Sequence, residues 1–406
     1  LIVVAALMLS ECKSPDMRTT FGIDRLLADP GAYLKGKRFA LLVNQSSVAA
    51  DGKYLFEALL AQGFKPEKLF APEHGMFGTE QDQITVAHEN DSFTGLRAVS
   101  LYGQTKEELK PRASDLEGLD ALVVDIQDIG CRYYTYAYTM AFCIEACAAR
   151  GIEVIVCDRP NPLGGVVVEG GIVHKGCESF VGAYPLAVRH GLTIGEIAML
   201  LNATEKWDAK LTIVKLENWN RNWLYPQTAG LWIQPSPNMP TIDTVIVYPG
   251  TCLFEATNVS EGRGTTRPFE IVGAPFIDPK KYAAALNALH LPGVYFRPLY
   301  FKPTFHKFKD EACGGVFVHV TDVETFESFY TGLAMVKTVH DLYPKTFDWR
   351  REPYEYVADV LAIDLLSGSE TFRLNVENGG LLEDFRNTYI AEEKTFRRMA
   401  ADFYLY

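Results

Sequence analysis

Glu73 and His74 stand side by side in "LFAPEHG", Leu69 to Gly75, where a strand-like apolar run stops and the glycine-containing turn "GMFGTE" begins. A carboxylate at such a place suits proton transfer, and an imidazole beside it can orient the carboxylate or a substrate hydroxyl. Similar groups recur in six other short stretches. "DIQDIGCRYYTY" carries Asp125, Asp128, Arg132, Tyr133, Tyr134 and Tyr136. "CDRPNPLGG" carries Asp158, Arg159 and Asn161, and "VVVEGG" carries Glu169. Arg189 and His190 open "RHGLTIGE", and Asn238 lies in "PSPNMPT". "FEATNVSEGRGTT" adds Glu255, Asn258, Glu261 and Arg263.

Carboxylates, aromatic rings and arginines without a phosphate loop point to glycoside chemistry. One carboxylic acid protonates the leaving oxygen, and a second carboxylate serves the water or attacks directly. Aromatic rings cover the sugar face, while Asp, Asn and Arg hold hydroxyls and any sugar carboxylate. Glu73 is the first catalytic candidate and Glu169 the second, with Glu255 and Glu261 in reserve. An N-acetyl group on the sugar could itself be the nucleophile, so acid and base roles stay open. Carbohydrate binding without catalysis would use the same residue types.

Other chemistries lack their signatures. No P-loop, GxSxG elbow or HExxH occurs, and "GGVVVEGG" is not a dinucleotide fingerprint. The eight cysteines form no CxxC and no zinc spacing, so no metal and no cofactor are expected. Cys143 and Cys147, one helical turn apart on an apolar face, read as buried free thiols. The formal net charge of −12 argues against nucleic acid, which needs a basic face.

The elements that must position these groups alternate. "KRFALLVN", "KLFAPE", "RAVSLYG", "LDALVVDIQD" and "IEVIVCD" read as strands, with "YLFEALLAQGF" and "TMAFCIEACAARG" as helices. Near-continuous apolar strands between helices indicate a parallel sheet covered on both faces. The fold class is therefore α/β, with a Rossmann-like parallel sheet in the N-terminal domain. In such sheets the ligand crevice lies beyond the carboxyl ends of the strands. Asn44, Glu73, Tyr102, Asp125 and Asp158 sit at those ends. From Asn238 onward, "TVIVY" reads as a strand before a polar loop, "GGVFVHVTD" as another strand, and the tail from Tyr354 as mainly helical. This suggests a smaller α+β C-terminal domain, auxiliary to the first. The expected boundaries are 21–238 and 239–406. Thr193 and Glu196 have the spacing of a helix capping box, a structural role for Glu196.

Residues 1–20 read as an export segment and linker. "LIVVAALMLS" has the shape of a signal-peptide h-region, and Cys12 after it suggests a lipoprotein site. The expectation is an exported chain, periplasmic or tethered to a membrane by lipid on Cys12.

"LFAPEHGMFG", "DIQDIGCRYYTYAYTM", "DRPNPLGG", "RHGLTIGE", "PSPNMPT" and "YPGTCLFEATNVSEGRGTTRPFE" occur in that order. Together they resemble the bacterial exo-β-N-acetylmuramidases, over nearly the whole chain after Phe21. The resemblance implies a two-domain glycosidase with an interdomain cleft. It also implies release of N-acetylmuramic acid from the non-reducing end of peptidoglycan fragments. The partner is then a muropeptide or muramyl disaccharide. Its lactyl carboxylate would suit Arg132, Arg159 or Arg263, with Arg263 favoured because its loop carries glycines. A non-catalytic muropeptide-binding lipoprotein is the alternative.

Overall fold

The computed structural model describes residues 18–79, 89–90 and 95–406. Cys12 and the export segment through residue 17 lie outside these residues. Among the described residues, ten strands form two sheets. The first contains β1 (Phe39–Val43), β2 (Leu69–Ala71), β3 (Glu89–Asn90), β4 (Arg97–Ser100), β5 (Ala121–Asp125), β6 (Glu153–Cys157) and β7 (Leu211–Val214). Its order is β3-β4-β2-β1-β5-β6-β7, and all neighbours are parallel except the antiparallel edge strand β3.

The pleat divides each strand between two cores, because successive side chains point to opposite faces. Ala40, Leu42, Leu122, Val124, Val154 and Val156 join one cluster. Phe39, Leu41, Val43, Ala121, Val123 and Ile155 join the other. Burial on both faces explains why these strands read as apolar runs. The first cluster does not stop at the sheet. It continues through the helix Tyr136–Ala148 into Leu253, Phe254, Val316 and Leu333 of the C-terminal domain.

The C-terminal domain holds the second sheet, the antiparallel β8 (Ile271–Ala274), β9 (Val294–Phe301) and β10 (Cys313–Val320), in the order β8-β10-β9. Helices Pro279–Asn287 and Ile242–Thr251 pack on it, Ser328–Leu342 packs against those two helices, and the helix Leu382–Ala401 follows near the end of the chain. The strand expected at "TVIVY" is a helix. Thr241 caps it by accepting from the Thr244 N–H, and Pro249 falls in its last turns. Its packing explains the outcome. A Cβ on Gly250 would sit 2.1 Å from the Ser328 carbonyl oxygen, and one on Gly332 2.2 Å from the Gly250 oxygen. This close helix crossing overrides the strand preference of the β-branched run. "VVVEGG", whose valines favour a strand, forms only an isolated bridge between Glu169 and Arg189.

The seven described cysteines are free thiols, and Cys143 and Cys147 are buried as expected. No helix among the described residues is long and apolar enough to cross a membrane.

Candidate active site

The parallel strands deliver their carboxyl ends to one edge of the sheet. Pro72 and Glu73 follow β2, Asn44 follows β1, and Tyr102 lies just past β4. Glu73 is buried, 5% exposed, and accepts the Thr135 hydroxyl at 3.0 Å on Oε2. Thr135 is the N-cap residue of helix Tyr136–Ala148, yet its side chain caps nothing there. The hydroxyl is committed to the Glu73 carboxyl group. His74 follows at φ 70° and Gly75 at φ 78°, and the Gly75 N–H closes the turn on Pro72 O. A left-handed non-glycine residue costs about 1 kcal/mol or more, and such residues collect at functional sites.

The loop with Asn238 is pinned to the same edge. Three donors converge on one carbonyl, Pro235 O: Tyr136 OH at 2.6 Å, Gln45 Nε2 at 2.8 Å and Asn44 Nδ2 at 3.1 Å. Asn44 is therefore a loop anchor.

The opposite wall comes from the C-terminal domain. The short helical turn Cys252–Ala256 presents Glu255, which accepts from Arg263 at 2.7 Å and from the Tyr354 hydroxyl at 2.6 Å. Arg263 also pairs with Glu261, Nε to Oε1 at 3.5 Å, and lies over the Phe269 ring. Glu261 is fully buried and further held by Lys307 at 2.9 Å and His306 at 3.2 Å. Burial alone would raise its pKa. The Lys307 charge, the His306 bond and charge, and Arg263 together overcome that and hold the carboxyl well below its ordinary range.

These two walls enclose a narrow pocket with a cavity of about 40 Å³. Of the residues singled out in the sequence, it unites Glu73, His74, Tyr133, Tyr134, Asn238, Glu255 and Arg263. It adds Thr135, Ser236, Tyr248, Phe269, Tyr354 and Glu355, which sequence reasoning missed. The "PYEY" stretch offered carboxylate and aromatics, but it lies in the tail that read as mainly helical.

The other candidates are not in this lining. Glu169 pairs with Arg189 at 2.9 Å and accepts the Phe329 N–H at 3.0 Å, joining the two domains elsewhere. Asp125 and Arg159 form a buried two-pronged ion pair, 2.6 and 2.9 Å. Arg132 is 1% exposed and donates to the carbonyls of Gly171, Leu186 and Leu366. Asp158 accepts from Thr193, Gly195 and Tyr406, and burial pushes its carboxyl up to about 7. Asp128 accepts the Gly130 N–H and lies 3.3 Å from His190 Nε2. Asn161 bridges Leu163 and Leu192. Glu196 completes the capping box with Thr193. No group of His, Cys, Asp and Glu that could hold a metal exists among the described residues.

Known proteins share this architecture. Sequence models described as Exo-beta-N-acetylmuramidase NamZ, N-terminal, and Exo-beta-N-acetylmuramidase NamZ, C-terminal, match residues 39–243 and 246–406. A peptidoglycan beta-N-acetylmuramidase NamZ of Bacillus subtilis is 44% identical over 96% of this chain and 90% of its own. Two crystal structures of DUF1343 family proteins from Bacteroides fragilis superpose on the chain. One has TM-score 0.85 at 35% identity, covering 97% of this chain and 100% of that one. The other has TM-score 0.70 at 27% identity, covering 96% and 99%. With both halves matched and the curated relative aligned nearly end to end, the chain belongs to the exo-β-N-acetylmuramidase NamZ family.

Proposed function

We propose that the chain is an exo-acting glycosidase that releases N-acetylmuramic acid from the non-reducing end of peptidoglycan fragments. Besides its family membership, one observation carries this reading. Glu73, at the carboxyl end of β2, opens into the same pocket as Glu255, Arg263, Tyr354 and Glu355 from the C-terminal domain. The tyrosines and Phe269 supply apolar ring surface for a sugar face, and Asn238 and Ser236 supply hydrogen bonds for hydroxyls.

Glu73 donates the proton that the departing glycosidic oxygen needs, since its position is fixed by Thr135 from one side and by the β2 exit from the other. Arg263 reads the lactyl carboxylate that distinguishes muramic acid from other N-acetylated sugars. The guanidinium is buried against Phe269, where a charge-assisted bond gains most. We also propose that the chain is exported and that Cys12 carries a lipid anchor, on the strength of the apolar run before it. Detergent partitioning of the native protein and its Cys12→Ser variant tests the anchor. A variant that stays with the membrane argues against it.

The deciding experiment for the activity supplies a muramyl-N-acetylglucosamine disaccharide and follows free N-acetylmuramic acid. Release in repeated turnovers supports the enzyme. Tight binding without release supports a muropeptide-binding protein instead.

A further inference from the structure

Residues Tyr354 to Val357 form a two-residue hairpin. The Tyr354 N–H donates to Val357 O at 2.9 Å, and the Val357 N–H donates to Tyr354 O at 3.0 Å. Both corner residues have positive φ, Glu355 at 46° and Tyr356 at 66°. That is the pattern of a type I′ turn, whose corners strongly prefer Asn and Gly. Here they are Glu and Tyr, two side chains that make the turn harder to form.

The surroundings hold this turn in place. Tyr354 donates its hydroxyl to Glu255, and the Arg350 guanidinium lies 5.0 Å from the Tyr354 ring centre. Tyr356 donates its hydroxyl to Gly103 O at 2.8 Å, and its ring packs on Tyr102 at 5.8 Å. The turn is thus tied to both domains. Its other corner, Glu355, is 8% exposed and lines the pocket with Glu73. The two carboxylates share a neighbour. Burial first, then the charges of Glu73 and Glu355, push the Tyr102 phenol far up. A strained corner that lodges a carboxylate in the cleft is explained by chemistry there rather than by stability.

We propose that Glu355 is the second catalytic carboxylate, the base that takes a proton from the attacking water. This rests on the glycosidase reading above. The bond from the anomeric carbon to the glycosidic oxygen breaks, and that oxygen keeps the electron pair and takes the proton of Glu73. A bond from the water oxygen to the anomeric carbon forms, and the water's proton passes to Glu355. Solvent then returns Glu73 to its acid form and Glu355 to its carboxylate.

The test measures muramyl-disaccharide turnover and thermal midpoint for wild type, Glu355→Gln, Glu355→Asn and Glu355→Ala. The expected result is a fall in kcat of at least about 100-fold in every variant with KM little changed. Glu355→Asn should melt no lower than wild type, because Asn suits a type I′ corner. Sodium azide, which needs no base, should restore turnover to Glu355→Ala and yield the glycosyl azide. Retention of more than about a tenth of wild-type kcat in Glu355→Gln would overturn the proposal. So would a lower melting point in Glu355→Asn, or no rescue by azide. An inactive wild type would instead sink the glycosidase reading itself.

Discussion

Thr135 reaches back across 62 residues of sequence to place its hydroxyl 3.0 Å from the Glu73 carboxylate. The contact joins the exits of the two strands that flank β1, through the loop after β2 and the helix that follows β5. It therefore fixes the direction of the Glu73 side chain relative to the sheet. Replacing Glu73 by Gln should lower kcat by at least about 100-fold without lowering the melting point. Thr135→Val should lower kcat by about five- to tenfold, the worth of roughly 1 kcal/mol for one net hydrogen bond. Its helix should be untouched, since the hydroxyl caps nothing. Steady-state kinetics beside thermal melts check both. A Glu73→Gln enzyme with more than a tenth of wild-type activity would remove Glu73 from the proton-transfer role.

Arg263 stands between Glu255 and Glu261, so its removal has two consequences. Loss of one partner from a buried ion network costs about 3–5 kcal/mol. Lys307 and His306 still hold Glu261, so Arg263→Ala should sit at the low end, about 3 kcal/mol, read by urea unfolding. At a temperature where the variant stays folded, the muramyl substrate should lose its advantage over the N-acetylglucosaminyl analogue. That advantage should be roughly 30- to 150-fold in the wild type, from a charge-assisted bond of about 2–3 kcal/mol. Equal weakening of both substrates would make Arg263 purely a loop tie.

Glu393, on the helix Leu382–Ala401, accepts the Gly170 N–H at 2.7 Å. Burial is the main reason its carboxyl is pushed up to about 7. The Gly170 bond opposes this, the Glu169 charge adds to it, and Arg386 and Arg397 lower it. The protonated form is thus favoured in the folded state. Its stabilisation is full below the ordinary carboxyl range and is lost as pH rises from about 4.5 to about 7. Glu393→Gln keeps an acceptor for Gly170 without the titration. Its melting temperature should fall less than that of wild type across this window, measured as a series of melts at fixed ionic strength. Parallel curves would assign the slope to other groups such as Asp158, also raised to about 7.

Activity should survive chelation. The described residues offer side chains for proton transfer and sugar contact, and no group of three metal-ligating side chains. Turnover in EDTA should match turnover in untreated buffer. A loss that one divalent ion restores would overturn this.

The parallel sheet was legible in the sequence because its strands are buried on both faces and so read as apolar runs. β7 escaped, since "LTIV" is short and only half-buried at the sheet's edge. The helix Ile242–Thr251 was misread because its β-branched residues speak for a strand, while the glycine contact that decides the matter comes from 82 residues later, at Gly332. At the site, Glu73 was legible because it ends a strand of the sheet. Asp125 and Asp158 stand at the same edge, but their partners Arg159 and Thr193 turn them to structural work. Only three-dimensional pairing separates these cases. Glu355 had no strand end to announce it, and "EY" is not the dipeptide that marks a hairpin.

The apolar cluster that runs from one face of the parallel sheet into the C-terminal domain also governs how the chain can come apart. Ala40 and Leu42 of β1 belong to the same continuous interior as Phe254 and Val316. Two homology segments share one interior, so the seam between residues 243 and 246 divides the sequence without dividing the cooperativity. A fragment ending there would present a bare oily surface to water and aggregate before it could be assayed. Heat should melt the intact protein in a single calorimetric event rather than lobe by lobe. The cleft is then as rigid as the common interior beneath it, because neither wall can loosen without cost to the other.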